Sequence, residues 1–121
     1  MNSTDKSDQQ VLDLDRARSR VAGDEVMLRE LAQIFLDESP AWLARIEEAV
    51  NDHDADALFR AAHDIKGSTE VFGADSAVTT AKTLERMGRE GYLDDADETL
   101  GALKAEMVWV RQALESYINE Q

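Results

Sequence analysis

Residues 58–74 read LFRAAHDIKGSTEVFGA, and their spacing decides the fold. Apolar or small side chains recur at Leu58, Ala62 and Ile65, in steps of four and three. This spacing is typical of the single buried face of an amphipathic helix. A glycine inside a helix costs roughly 1 kcal/mol relative to alanine. Gly67, in the middle of the stretch, therefore calls for an explanation.

The same helical spacing runs through the rest of the chain, and no stretch alternates convincingly like a strand. It predicts one short helix and four longer ones, at about 12–21, 25–51, 55–72, 75–90 and 95–118. Short connections between long amphipathic helices favour antiparallel neighbours. The sequence thus predicts an all-α fold, an antiparallel up-and-down four-helix bundle with a short extra N-terminal helix. We expect residues 1–10 to be a disordered tail and 11–121 to form a single helical domain.

Residues at the predicted helix ends agree with this architecture. Asp24, Asp54 and Asp94 are each suited to an N-cap, because a short carboxylate accepts hydrogen bonds from first-turn amides. Gly73 and Gly91 suit the position just past a helix end, where a left-handed residue is favoured. The pattern therefore predicts defined helix boundaries.

One proline and two tryptophans lead to predictions about helix continuity and packing. Pro40, the only proline, should kink or interrupt the second helix because it has no backbone N–H to donate. Trp42 and Trp109 are expected to be core or half-buried residues. All three predictions concern the long helices of the bundle.

Composition narrows the classes of function. The chain has 121 residues, and 26 acidic against 13 basic side chains give a net charge of −13, which disfavours nucleic acid or an anionic membrane as a partner. There is no cysteine, so disulfides and thiolate chemistry are excluded. The polar start MNSTDKSDQQ does not resemble a signal peptide, and no apolar run approaches the ~20 residues of a membrane span. We expect a cytoplasmic monomer that binds other proteins and makes no membrane contact.

The predicted helix over 55–72 brings together residues that could carry chemistry. His63 falls roughly 140° from the centre of the buried face, so its imidazole should face water. Phe59, Lys66 and Glu70 lie within roughly 60° of it, and Gly67 stands one turn along. An exposed histidine thus has a cation and a missing side chain beside it.

This arrangement suits phosphoryl transfer. A neutral imidazole nitrogen is a competent nucleophile near pH 7, since the reference pKa is about 6.5. Lys66 could neutralise phosphoryl oxygens, and Gly67 could leave room for a partner's acceptor to reach His63 in line. The alternative is an ordinary surface histidine, a solvated lysine, and a glycine that permits close helix packing.

Several motifs together resemble one known family. They are the stretch FLDESP at 35–40, the core A-H-x-h-K-G in which h is apolar, a glycine ten residues after the histidine, and T-L-E at 83–85. The chain from Leu12 to Ile118 resembles the histidine-containing phosphotransfer (Hpt) domains, which include the phosphoacceptor domain of chemotaxis kinases.

The resemblance implies a role for individual residues. His63 matches the phosphorylated histidine, Lys66 the cation beside it, and Gly67 the small residue that gives partners access. Gly73 matches the turn that ends this helix. Glu85 matches a position on the neighbouring helix where some members place a glutamine or glutamate to orient the imidazole. At Glu85 a merely solvated carboxylate is the alternative.

Residues beside the histidine are candidates for partner binding. They are Phe59, Arg60 and Glu70. For Phe59, at the rim of the predicted core, a packed side chain is the alternative. Arg60 and Lys66 flank His63 one turn on each side and predict a locally basic spot in an acidic molecule. A further basic stripe on the next helix is either a docking surface or a solvated face; it comprises Lys82, Arg86 and Arg89.

Metal sites find little support in the sequence. His53 lies in the acidic turn NDHDAD without a second imidazole at helical spacing, so an exposed loop residue is the better interpretation. A di-iron bundle would require Glu-x-x-His, but Arg60 stands where the glutamate should be. We predict no metal ligands.

The chain also lacks the patterns of an ATP-binding enzyme. There is no P-loop, Rossmann glycine pattern or protein-kinase signature. If it works as the family does, His63 accepts a phosphoryl group from a receiver-domain aspartate and passes it to another receiver in a phosphorelay. It would have no cofactor of its own; Mg²⁺ would sit on the receiver, and a hybrid sensor histidine kinase would act upstream. The alternatives are a helical adaptor that binds receivers without carrying phosphate, and a purely structural bundle.

Overall fold

The computed structural model describes residues 11–120, and within them every regular element is a helix. The five helices are α1 (Leu14–Arg20), α2 (Glu25–Asn51), α3 (Ala55–Val71), α4 (Asp75–Glu90) and α5 (Ala96–Asn119). These bounds confirm the all-α prediction and lie within two residues of the predicted ones. The predicted tail over 1–10 lies outside the described residues. None of the described helices is long and apolar enough to cross a membrane.

The four long helices pack in chain order around one core. α2 packs on α3, α3 on α4, α4 on α5, and α5 returns to α2, while short α1 contacts α2. This order confirms the antiparallel up-and-down bundle with an extra N-terminal helix. Burial of each large apolar side chain contributes roughly 1.5–3 kcal/mol. The largest fully buried ones include Leu28, Ile46, Leu58, Ile65, Leu84, Leu103, Met107 and Leu114.

The predicted N-caps hold for two of three helices. The carboxylates of Asp24 and Asp54 each accept a hydrogen bond from a first-turn amide at 3.0 Å. The prediction for Asp94 is wrong: Asp95 precedes the helix, and its side chain makes no capping bond. Helix α5 begins one residue later than an Asp94 cap would place it, with Ala96, whose side chain is fully buried.

Left-handed glycines end two helices as predicted. Gly73 has φ +64° and Gly91 has φ +74°. Gly73 also lies against the start of α1, where a Cβ atom would come within 2.6 Å of Asp13 Cβ. The Asp13 amide donates to the Phe72 carbonyl at 2.9 Å, so the N-cap residue of α1 is fixed to the α3–α4 turn. The predicted start of this helix at residue 12 is therefore two residues too early.

Pro40 lies inside a continuous α2, so of the two predicted outcomes, a kink or an interruption, the interruption does not occur. Without a proline N–H, the Leu36 carbonyl has no partner four residues along the helix. The Arg111 guanidinium on α5 supplies one instead, donating to that carbonyl at 2.8 Å. It also donates to the hydroxyl of buried Ser39. A side chain from another helix thus satisfies the acceptor that the proline leaves open.

The two tryptophans have different environments. Trp42 is half-buried and meets Phe35 edge-on, with ring centroids 5.2 Å apart. Trp109 is 47% exposed, so its predicted burial is wrong. Its neighbour Val110 occupies the core position of that turn, and adjacent helical residues point about 100° apart.

Candidate functional site

His63 lies on the outer side of α3, next to α4. Leu58, Ala62 and Ile65 are buried, and this face turns the imidazole toward solvent, where the side chain is 58% exposed. Its Nδ1 atom lies 2.6 Å from Oε2 of Glu85 on α4. The structure therefore places His63 in water, as the spacing predicts, but with one ring nitrogen engaged.

Glu85 is a buried carboxylate shared by two partners. Its side chain is 9% exposed, and Oε1 accepts a hydrogen bond from Nζ of Lys66 at 2.9 Å. Desolvation by itself raises the pKa of Glu85, but the hydrogen bonds from His63 and Lys66 outweigh it and lower the pKa below its ordinary value. Glu85 is therefore ionised at neutral pH and is not the solvated carboxylate of the alternative interpretation.

The contact with Glu85 distinguishes the two nitrogens of the imidazole. An ionised carboxylate only accepts hydrogen bonds, so the hydrogen between it and the ring belongs to Nδ1 of His63. In the neutral ring Nε2 then carries the lone pair. The arrangement therefore offers a nucleophilic nitrogen, Nε2, on an exposed side chain whose orientation is fixed by the contact between Nδ1 and Glu85.

Phe59 adds a second contact to the imidazole. Its ring stacks on that of His63, with centroids 6.1 Å apart and planes 22° from parallel. Phe59 is half-buried and lies one turn before the histidine. It therefore packs against the site as well as contributing to the surface around it.

Gly67 leaves open space beside the histidine. A Cβ atom at this position would have nothing within 4 Å outside its own helix, and the residue is exposed. The alternative interpretation, a glycine that permits close helix packing, is therefore wrong for Gly67. Such a glycine does occur on α4, at Gly88, where a Cβ atom would come within 2.5 Å of the Phe59 backbone nitrogen.

The cations nearest His63 are each paired with a carboxylate. Lys66 pairs with Glu85, and Arg60 pairs with Asp56 on its own helix. The predicted locally basic spot is therefore wrong, because each cation has an acidic partner within reach. Glu70 is half-buried two turns beyond the histidine.

The basic stripe on α4 is exposed along its length. It comprises Lys82, Arg86 and Arg89. Glu85 lies on the same helix and faces α3, so the stripe runs beside the site. No ion pair joins the stripe to a carboxylate among residues 11–120. These side chains are therefore available to an acidic partner.

His53 lies away from this site. It is exposed in the α2–α3 turn with a left-handed φ of +52°. In the part of the chain that the structure describes, no cluster of three or more histidine, cysteine or acidic residues could hold a metal. The structure thus brings together His63, Lys66 and Glu85, and leaves His53 outside.

Sequence reasoning missed Gly88. It is an interior helix glycine three residues after Glu85, so both residues share one face of α4. The three-residue spacing from Glu85 was the signal in the sequence that could have indicated a glycine facing α3. Its meaning depended on knowing that this face meets the backbone of α3.

Comparisons with known proteins agree on one family. A sequence model of the Hpt domain matches residues 30–113, more than half of the chain. The chain is similar to the chemotaxis protein CheA of Rhizobium meliloti (strain 1021), with 38% identity over a 66-residue alignment that covers 48% of this chain and 9% of that protein. It therefore spans only a small part of that relative's length.

A solved structure extends the likeness to the whole bundle. The fold is similar to the crystal structure of histidine-containing phosphotransfer protein B (HptB) from Pseudomonas aeruginosa PAO1, with a TM-score of 0.85 and 26% sequence identity. The match covers 92% of this chain and 96% of that chain. The structural match and the family model thus both indicate an Hpt domain.

Proposed function

The chain belongs to the Hpt domain family, and on that basis we propose that it carries a phosphoryl group on Nε2 of His63. The group would come from the aspartate of one receiver domain and pass to another in a phosphorelay. The observation that supports this most directly is the 2.6 Å contact between Nδ1 and the buried Glu85, which leaves Nε2 as the free nitrogen on an exposed ring.

The transfer step balances with the groups present. The Nε2 lone pair attacks the phosphorus of an aspartyl phosphate; a P–N bond forms, and the P–O bond to the aspartate breaks, releasing its carboxylate. The ring keeps its hydrogen on Nδ1 and becomes cationic. Glu85, already hydrogen-bonded to Nδ1, balances this charge, and a second receiver's aspartate takes the phosphoryl group by the reverse step.

Lys66 has two tasks in this proposal. Its ammonium group, 2.9 Å from Oε1 of Glu85, helps to keep that carboxylate ionised. It also lies one turn from His63, where its charge would offset that of the phosphoryl oxygens. Such transfers depend mainly on positioning and electrostatic stabilisation, so the lysine assists the reaction without forming a bond.

Access for the partner is provided on the same side of α3. The open space at Gly67 leaves a path to the ring. We propose that Phe59, Arg60 and Glu70 form the surrounding contact surface. Carboxylates of the receiver would bind the Mg²⁺ that the transfer uses, because Mg²⁺ prefers oxygen ligands together with the phosphate.

Hpt proteins are phosphocarriers rather than kinases. We propose that this chain likewise has no ATP site and receives its phosphoryl group in a relay started by a hybrid sensor histidine kinase. In this proposal it acts as a single domain over residues 11–121, as a monomer in the cytoplasm.

Labelling from a receiver tests the proposal. A receiver domain is loaded with [³²P]acetyl phosphate and Mg²⁺ and mixed with the wild type, His63→Gln or His53→Asn. We expect acid-labile, base-stable label on the wild type and on His53→Asn, and none on His63→Gln. His53→Asn is the matched control because asparagine tolerates the left-handed backbone at that turn. His53→Asn should unfold at nearly the wild-type temperature, since His53 is exposed. His63→Gln should remain folded because that side chain is exposed too, although it loses the imidazole contact with Glu85.

The other outcomes identify the alternatives. Label that persists on His63→Gln would remove His63 from the proposed role. Receivers that bind the wild type without labelling it, across a panel, would indicate a helical adaptor. Neither binding nor label would indicate a structural bundle.

A further inference from the structure

Gly88 lies where the backbone of α4 packs closely against that of α3. A Cβ atom at this position would be 2.5 Å from the backbone nitrogen of Phe59, 2.7 Å from the carbonyl oxygen of Ala55 and 2.8 Å from Cα of Phe59. All three are backbone atoms, which cannot rotate away as a side chain can. The two helices can approach to this distance only because residue 88 has no side chain.

The close crossing lies one turn from the phosphoacceptor site on both helices. On α4, Glu85 precedes Gly88 by three residues, and on α3, His63 follows Phe59 by four. The helices run antiparallel, so these two steps lead in the same direction. The spacing at Gly88 therefore governs the spacing at which Glu85 meets His63.

The contacts at the site depend on that spacing. Oε2 of Glu85 lies 2.6 Å from Nδ1 of His63, and Oε1 lies 2.9 Å from Nζ of Lys66. Donor–acceptor distances beyond about 3.2 Å fall outside the normal range for such bonds. An outward shift of α4 by about 1 Å would break the contact with the imidazole and admit water to the carboxylate.

We propose that Gly88 is a positioning residue for the phosphoacceptor: its close crossing sets the distance at which Glu85 holds Nδ1 of His63, and thereby the tautomer of the imidazole. The inference rests on the proposed function for its effect on transfer. The expected effect of Gly88 on the tautomer of His63 does not depend on the proposed function. Gly88 touches no reacting atom and acts through Glu85.

The test compares Gly88→Ala with Gly101→Ala. Gly101 is also a helix-interior glycine, on α5, and a Cβ atom there has nothing within 4 Å. In ¹⁵N spectra of the imidazoles at neutral pH, we expect His63 to show a protonated Nδ1 in the wild type and in Gly101→Ala. Gly88→Ala should shift His63 toward a mixture of tautomers, while the signals of His53 remain unchanged as an internal reference.

Transfer rates show whether Gly88 acts through Glu85. We expect Gly88→Ala to slow phosphoryl transfer about 10- to 100-fold, the scale on which a 1 Å misplacement acts. In a Glu85→Ala background the same change should slow transfer by no more than about twofold, because the contact it disturbs is already absent. An equal loss in both backgrounds would show a structural role alone.

A second variant keeps the inference testable if Gly88→Ala does not fold. Glu85→Asp retains the charge but shortens the reach by one methylene group, so it imitates a wider helix spacing in the native backbone. We expect it to lose the Nδ1 signature and to slow transfer as Gly88→Ala would. A folded Gly88→Ala with unchanged imidazole signals, or a Glu85→Asp that keeps them, would overturn the proposal. A wild type that no receiver labels would overturn the proposed function and leave the spectroscopic result standing.

Discussion

At the scale of single residues, the site depends on one buried carboxylate with two partners. Glu85 accepts hydrogen bonds from both His63 and Lys66, and their contributions outweigh the desolvation that burial imposes. A charge at this depth is tolerated only when it is paired in this way. The same pairing links the chemistry of the site to the stability of the fold.

Glu85→Gln should therefore lower stability in a pH-dependent way. The pKa of Glu85 is lower in the folded chain than its ordinary value of 4.5, so its ionised form stabilises the native state. That contribution is complete above the unfolded pKa and is lost as pH falls through the folded one. We expect the variant to be roughly 1–3 kcal/mol less stable at pH 7, since hydrogen bonds to a charged group are lost. In urea unfolding, the difference in free energy of unfolding between the wild type and Glu85→Gln should stay constant down to about pH 5 and shrink below pH 4.5.

Glu106→Gln is the matched control, because the fold shifts the pKa of Glu106 in the opposite direction from that of Glu85. Burial raises the pKa of Glu106 despite a hydrogen bond from Thr80, and its Oε1 atom has no hydrogen-bond partner among residues 11–120. Ionisation of Glu106 therefore disfavours the folded state as pH rises through the raised pKa. This variant should be at least as stable as the wild type at pH 7 and lose that advantage in acid. A gap for Glu85→Gln that widens in acid would contradict the argument.

At the scale of elements, the α3–α4 pair contains two interior glycines with opposite surroundings. Gly67 faces open space, whereas Gly88 faces the backbone of the neighbouring helix. The first gives up helix propensity on an exposed surface, and the second permits a close crossing. The same residue type therefore leaves open space at one position and allows close packing at the other.

Gly67→Ala should consequently stabilise the protein. A Cβ atom at this position meets no neighbour, so the better helix propensity of alanine is expected to raise the free energy of unfolding by up to about 1 kcal/mol. Gly101→Ala on α5, also in open space, should give a similar gain. Urea unfolding of the two variants measures both effects. A destabilised Gly67→Ala would contradict the open environment.

Gly67→Gln separates access from stability. Its side chain should fill the space beside His63, so we expect a folded protein that accepts phosphate from a receiver about 10-fold more slowly. Gly101→Gln should transfer at the wild-type rate. Normal transfer by Gly67→Gln would show that the open space is not used for access.

At the scale of the whole molecule, the distribution of charge is uneven. The net charge is −13, and several cations are paired with carboxylates, including Arg16, Arg18, Arg45, Arg60, Lys66 and Lys104. The exposed stripe on α4 is not paired within the described residues, and it runs beside His63. It would draw an acidic partner toward the side of the bundle where His63 lies.

Arg86→Glu should therefore slow association more than an equal change of charge elsewhere. Arg20→Glu is the matched control, because Arg20 is also an exposed arginine without a carboxylate partner in residues 11–120, and it lies on α1. At low salt we expect about a 10-fold slower receiver-to-protein transfer for Arg86→Glu and a weaker dependence on ionic strength. Rates measured across a salt series, below saturation, test this. Equal effects of the two variants would show that net charge alone acts.

The sequence by itself determined the number, order and approximate bounds of the helices and the face on which His63 lies. Helical periodicity is a local property, and short capping residues such as Asp24 and Asp54 act within one turn. The exposure of His63 followed from its angle to the buried face of α3, which needs no knowledge of neighbours. The family also followed from local motifs, because the residues around His63 occupy consecutive turns of one helix.

Tertiary structure alone decided which partners those residues have. Whether Glu85 is solvated or buried, whether Gly67 or Gly88 meets another helix, and how α2 continues through Pro40 all depend on atoms from distant parts of the chain. Helical spacing specifies the direction of a side chain on its own helix, but not the distance or register of the helix opposite. Those are set by how all the buried faces pack together, and only that packing brings Glu85 within 2.6 Å of His63.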